Sequence, residues 1–306
     1  MDSSMLIMLA GGLGLFIYGM KMMGDGLEKA AGSRLKRLLE ILTENRFMGL
    51  LVGTIVTAII QSSSATTVMV VGFVNAGIMT LKQTVGVIMG ANIGTTVTSF
   101  LIALNLTDIA PIAIFFGVAL MLFSKKPSLK SIGEILAGFG ILFMGMDLMS
   151  SSMAPLRDNV TFQNIVTQFS NPLIGVLTGA IFTMIVQSSS ASIGILQALA
   201  LQGLIGLDSA IYVLFGQNIG TCITAILASI GTNTNAKRAA TIHLLFNTVG
   251  TAIFMIAISL GVPYVEFIKS ISPDRAVSQI ANAHIGFNII NTALLFPFGN
   301  YLVKIS

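Results

Sequence analysis

Gln61-Ser62-Ser63-Ser64 and Gln187-Ser188-Ser189-Ser190 are the residues of this chain best suited to hold a solute. Each set is a polar island in an apolar run. Phe47 to Ile60 leads into the first and Ala65 to Val74 leads out, while Pro172 to Val186 and Ala191 to Leu201 flank the second. Hydrocarbon offers no water to a side chain, so four consecutive polar residues at membrane depth need a ligand, a partner or a cavity. Two later segments, Asn92-Ile93-Gly94-Thr95 and Asn218-Ile219-Gly220-Thr221, add amides and hydroxyls, and no Lys, Arg, Asp or Glu lies within any of the four. Rings of neutral oxygens suit a monovalent cation, whereas hydroxyls, amides and helix N-termini suit an oxyanion.

The elements that position these residues must lie in a bilayer. The chain has 306 residues, 54% of them hydrophobic and 9% charged, with a mean hydropathy of +0.91. A soluble domain carries about 25% charge, so this is an integral membrane protein, all-α in fold class. The first twenty residues lack a basic leader and carry Asp2, and read as a retained span rather than a cleaved signal. The single Cys222 excludes an internal disulfide and reads as a buried small residue. The net charge of +4 lies in loops between spans, which argues against nucleic acid as a partner. Neither His243 nor His284 has an acid or nucleophile at readable spacing, so an enzyme is not expected.

In order, Met5 to Met23 reads as a Gly-rich span, and Asp25 to Leu42 as an amphipathic helix on the membrane surface. The first island follows, then Thr84 to Leu104, expected to be interrupted at Gly90 to Thr96, then Ile109 to Phe123. After Lys125-Lys126-Pro127 the pattern restarts 126 positions on. Gly12 and Gly19 recur as Gly138 and Gly145, Gly53 and Thr57 as Gly179 and Thr183, and Asn92, Thr95 and Thr98 as Asn218, Thr221 and Thr224. One register held over some ninety residues is an internal duplication. The expected organisation is a first repeat over 1–124 (hairpin 46–76, broken span 83–105), a cytoplasmic linker at 125–132, and a second repeat over 133–229 (hairpin 172–202, broken span 209–229). Final spans over 237–306 carry His243-Leu-Leu-Phe246-Asn247 and His284-Ile-Gly-Phe287-Asn288. His and Asn four apart share a helix face, and helix–helix hydrogen bonding is the favoured role for them over ligand contact.

The arms beside each island are about 10 to 15 residues, or roughly 15 to 22 Å of helix, against a hydrocarbon core of ~30 Å. Re-entrant hairpins therefore compete with full crossings, and basic residues choose between them. With hairpins, Lys21, Lys29, Arg34, Lys36, Arg37, Arg46, Lys82, Lys125, Lys126, Lys130, Lys237, Arg238 and Lys304 share one side against Arg157, Lys269 and Arg275, a split of 13 to 3. With full crossings the split is 10 to 6. The hairpin topology gives the first repeat three crossings, so the repeats are inverted and the two tips meet near the midplane. It also sets the N-terminus outside and the C-terminus in the cytoplasm, in the cell's inner membrane. A lone anion held only by neutral groups is unfavourable, so cations must accompany it, and coupled transport is favoured over a channel.

At these residues the chain resembles the sodium/phosphate cotransporter family, the type II group and its bacterial relatives. The resemblance rests on the duplicated Gln-Ser-Ser-Ser at 61–64 and 187–190, Gly-Ala-Asn-Ile-Gly-Thr at 90–95, Gly-Gln-Asn-Ile-Gly-Thr at 216–221 and the His-x-x-Phe-Asn segments. It implies symport of inorganic phosphate with co-transported Na+, no cofactor, and an elevator-like motion of the hairpins against a scaffold. Phosphate-binding residues would be Gln61, Ser62, Ser63, Ser64, Gln187, Ser188, Ser189 and Ser190. Sodium-binding residues would be Gln61, Ser64, Thr66, Asn92, Thr95, Gln187, Ser190, Ser192, Asn218 and Thr221. A homodimer stays open. The alternatives are another oxyanion such as sulfate or a carboxylate, proton coupling, or a membrane scaffold engaged through the basic stretch from Lys29 to Arg37.

Overall fold

The computed structural model describes residues 3–32 and 45–306, and all regular structure among them is helical. The first helix, α1 (Ser3–Ala31), is followed by the short α2 (Arg46–Ile60) and α3 (Ser63–Asn75), then α4 (Leu81–Ala103) and α5 (Ala110–Phe123). The second half runs α6 (Pro127–Ser152), α7 (Val160–Gln168), α8 (Pro172–Val186), α9 (Ser189–Leu201), α10 (Leu207–Gly220) and α11 (Ile223–Ala228). It closes with α12 (Thr234–Ser259), α13 (Tyr264–Ile271), α14 (Ala276–Leu295) and α15 (Gly299–Ile305). Five described helices or helix runs are long and apolar enough to cross a bilayer, six if the pair α7 and α8, bent by 102°, is one span. The chain is a multi-pass membrane protein.

Glycine seams hold the helices together. A Cβ on Gly19 would lie 2.3 Å from the Leu142 nitrogen, and one on Gly145 would lie 2.3 Å from the Phe16 nitrogen. Gly12 faces Met149 and Gly145, Gly19 faces Leu142 and Gly138, and Gly26 faces Ile135, so α1 and α6 run antiparallel with backbones in direct contact. Each short arm before an island packs in parallel on the long helix after it. Gly90 and Gly94 meet Leu50, Thr54 and Thr57 on α2, and Gly216 and Gly220 meet Val176, Ala180 and Thr183 on α8. These partners are themselves offset by 126 positions, so the contacts repeat along with the sequence.

Two expectations are corrected. The interrupted span at 83–105 is instead an unbroken 23-residue helix, α4. Its glycines admit the α2 backbone and leave the helical hydrogen bonds intact. The counterpart at 209–229 shows only a two-residue turn at Thr221 and Cys222, both with right-handed helical angles, between α10 and α11, and Leu207–Ala228 runs on as one span. The amphipathic helix expected from Asp25 does not begin there, because α1 continues through Ala31, held by Gly26 against Ile135 and by Lys29 bonded to Glu134 at 2.6 Å. The remainder of that stretch, including Leu35, Arg34, Lys36 and Arg37, lies outside the described residues. Within the final 237–306 segment, α14 ends at Leu295 and the chain resumes helix as α15.

Candidate functional site

Both islands are two-residue helix breaks with the same backbone. Gln61 ends α2 at φ 57°, ψ 25°, and Gln187 ends α8 at φ 57°, ψ 21°. This left-handed conformation costs a side-chain-bearing residue about 1–3 kcal/mol and collects at functional sites. Ser62 then caps α3 by accepting from the Ala65 nitrogen at 3.1 Å, and Ser188 caps α9 by accepting from the Ala191 nitrogen at 3.2 Å. The next amides, those of Ser63, Ser64, Ser189 and Ser190, fall in the first helical turn and have no intrahelical acceptor. Two helix N-termini, each with partial positive charge, thus end at the islands.

The two islands line one cavity of about 330 Å³, within reach of all eight residues of the two Gln-Ser-Ser-Ser sets. Thr98 of α4 joins them: its hydroxyl donates to Gln61 Oε1 at 2.9 Å and accepts from Ser190 Oγ at 3.5 Å. Thr95, one turn earlier, donates to Ser63 Oγ at 3.3 Å. Ser189 is 7% exposed, and its hydroxyl has no partner among the described residues.

The other expected residues lie behind this surface and do not line the cavity. Thr66 accepts from Thr57 at 2.9 Å across the first pair of arms. Asn92 and Asn218 donate to the Ile88 and Leu214 carbonyls, each at 2.8 Å, and Thr221 donates to the Gln217 carbonyl at 2.9 Å. Asn218 Oδ1 accepts from Asn288 at 3.3 Å, tying α10 to the second His-Asn segment. His243, Asn247, His284 and Asn288 are fully buried, and each Asn amide donates to the carbonyl of its own His at 3.0 Å.

The two halves differ in state. Gln61 is buried and bonded to Thr98, whereas Gln187 is exposed and its side chain has no partner among the described residues. The counterparts of the bonded pair Thr57 and Thr66 are Thr183 and Ser192, whose hydroxyls are buried without partners, as is Gln217 Oε1 beside them. Gln217 Nε2 donates to the Ser192 carbonyl at 2.9 Å.

Four residues on two helices escape a reading of motifs. Thr98 is visible in the sequence only as one matched position of the repeat. Lys21, Asp25 and Glu28 of α1 line the same cavity, although the islands themselves contain no charge. The signal that could have found them is their spacing, one and two helical turns apart on a single face. Gly24 holds that face against the first island, where a Cβ would lie 2.8 Å from the Ile60 carbonyl oxygen.

A family model described as Na+/Pi-cotransporter matches residues 15–151 and 154–296. YqeW of Bacillus subtilis (strain 168), named as an uncharacterized protein, is 34% identical over 252 residues, covering 82% of this chain and 82% of YqeW. YjbB of Escherichia coli (strain K12), which carries the provisional name of inorganic phosphate export protein, is 28% identical over 82% of this chain. The match takes in 46% of YjbB, so the chain spans about half the length of that relative. Sodium-dependent phosphate transport protein 2B of Homo sapiens is 33% identical over 101 residues, 32% of this chain and 15% of its own length. No solved structure matches the chain.

Proposed function

The chain belongs to the Na+/Pi-cotransporter family, and from that premise we propose that it is a sodium-coupled symporter of inorganic phosphate that works by alternating access. The observation that carries the reading is the cavity shared by both Gln-Ser-Ser-Ser islands. Four serine amides at two helix N-termini and the serine hydroxyls are donors for phosphate oxygens. Their fixed arrangement, held by the caps at Ser62 and Ser188 and by the Thr98 bridge, lets phosphate bind without reorganising the tips. Sodium is held by neutral oxygens at the tips and behind them. The expected set of Gln61, Ser64, Thr66, Asn92, Thr95, Gln187, Ser190, Ser192, Asn218 and Thr221 stands as the proposal. The unpartnered buried oxygens of Thr183, Ser192 and Gln217 support such a role for the second half.

The repeats are inverted and the islands are re-entrant tips. In support, the α1–α6 seam exchanges counterparts: Gly12 meets Gly145, the counterpart of Gly19, and Gly19 meets Gly138, the counterpart of Gly12. The two feet of the first hairpin also meet one set of partners. Arg46 donates to the Phe296 carbonyl at 3.0 Å and to Asn300, Arg238 donates to the Val303 carbonyl, and Asn233 bonds Asn75 at 2.9 Å. The few basic residues of the other face pair elsewhere: Arg157 with the Gln202 carbonyl, Lys269 with Asp208 and Arg275 with the Ala103 carbonyl. By the excess of Lys and Arg, the first end is cytoplasmic. Net direction of flux follows the sodium and phosphate gradients.

Uptake of radiolabelled phosphate into proteoliposomes, with and without an inward sodium gradient, tests the function. Faster uptake with the gradient is expected, and equal uptake in both removes the coupling. Competition by sulfate or a carboxylate, and replacement of the sodium gradient by a proton gradient, decide the alternatives.

A further inference from the structure

The charges of α1 divide into two groups. Lys29 faces α6 and is committed, its ammonium held by both oxygens of Glu134 at 2.6 and 2.8 Å. Lys21, Asp25 and Glu28 face the cavity of the two islands, and none of them has an ion-pair partner among the described residues. Lys21 and Asp25 stand four residues apart in the less favourable base-before-acid order, and they are not paired. Lys21 and Glu28 thus open onto the site with no ion-pair partner among the described residues, and Asp25 opens onto it while acting electrostatically on Lys29 one turn away. They share it with Ser189, a residue 7% exposed whose hydroxyl also has no hydrogen-bond partner among the described residues. At Gly24 the backbone of α1 comes into direct contact with the end of α2 beside the first island.

We propose that α1 is a third wall of the site and that it sorts an ion pair: Lys21 engages the oxyanion, while Asp25 and Glu28, one and two turns further along the same face, receive a cation in addition to any held by the neutral oxygens of the tips. This rests on the reading of the cavity as an oxyanion site and adds residues that neither island supplies. An ammonium donates charge-assisted hydrogen bonds to an oxyanion, stronger than those of the neutral serines. Two carboxylates nearby oppose that same anion until a cation neutralises them, so filling the cation position raises anion affinity. Linkage then requires that the anion raise cation affinity by the same factor. The carboxylates thereby make each solute's binding depend on the other.

Equilibrium binding of radiolabelled phosphate to the purified full chain, titrated at several sodium concentrations with choline as replacement, tests the assignment. Lys21→Gln should raise the phosphate dissociation constant by roughly 10–100-fold at saturating sodium, the range lost with a charged hydrogen-bond partner. Lys21→Arg should recover most of that loss, and Lys29→Gln should leave it unchanged. The double variant Asp25→Asn, Glu28→Gln should shift the sodium titration to higher concentration and flatten the dependence of phosphate binding on sodium. Size-exclusion profiles check that each variant is folded. Wild-type binding with unaltered constants in Lys21→Gln and in the double variant overturns the inference and leaves the transport reading standing. If the wild type binds sulfate and not phosphate, the choice of phosphate falls, and the same variants measured with sulfate decide the role of α1. A wild type that binds no oxyanion overturns both.

Discussion

Changing Thr98 to valine removes one hydroxyl, keeps the side chain's shape, and cuts the direct link between the two islands. Thr98 Oγ1 donates to Gln61 Oε1 at 2.9 Å and accepts from Ser190 Oγ at 3.5 Å, and all three residues are buried. The longer contact contributes little. The main cost is a Gln61 carbonyl oxygen left without a donor in a buried, left-handed turn, which is worth about 1–3 kcal/mol. If Thr98 positions the tips for phosphate, that energy appears as a rise of roughly 5- to 150-fold in the phosphate half-saturation concentration. The assay is phosphate uptake into proteoliposomes at a fixed, saturating sodium gradient. Thr96→Val is the control: Thr96 sits on the same helix and is buried, but its hydroxyl bonds only the Ile93 carbonyl at 2.7 Å. It should change half-saturation by less than about two-fold. Equal effects in the two variants, or a Thr98→Val protein within two-fold of wild type, would refute the bridging role.

Three further outcomes follow from the packing. Ser189→Phe fills the cavity beside both islands and should abolish uptake while the protein stays monodisperse on size exclusion; near-normal uptake would show that the cavity is not on the transport path. Gly19→Ala puts a methyl 2.3 Å from the Leu142 nitrogen in the α1–α6 seam and should destabilise by about 1–3 kcal/mol. Gly14→Ala, with nothing within 4 Å, should hold or slightly raise the thermal midpoint in detergent, since alanine favours a helix interior over glycine by about 0.5–1 kcal/mol. Asn288→Leu strands the buried Asn218 Oδ1, and a loss of about 1–3 kcal/mol should lower that midpoint.

The sequence carried the duplication and the position of both helix breaks, because four polar residues in a row between apolar arms are too costly to present to lipid on a continuous helix. It misplaced the break in α4 because glycine has two uses. Gly90 and Gly94 read as interruptions, but they are the points where the Leu50 and Thr54 backbones press in. In the second copy the helical hydrogen-bond pattern tightens to a turn after Gly220, at Thr221 and Cys222, without redirecting the span. The role of α1 was hidden for a different reason. Asp25 and Glu28 looked like the start of a separate surface helix, and Lys21 lies forty positions before Gln61, a distance that no local motif spans. The inequality of the two glutamines is likewise invisible in matched sequences, since Gln61 and Gln187 share backbone angles and differ only in what surrounds them.

The glycine seam between α1 and α6 has an evolutionary corollary. A surface in which Gly12 opposes the equivalent of Gly19, and Gly19 opposes the equivalent of Gly12, is isologous: it is self-complementary about a two-fold axis, the arrangement by which identical subunits associate. A half-length chain bearing those two glycines has, in this seam, a face able to pair with a second copy of itself. Fusion of its duplicated gene would then have preserved an interface that already existed, with no new one to build.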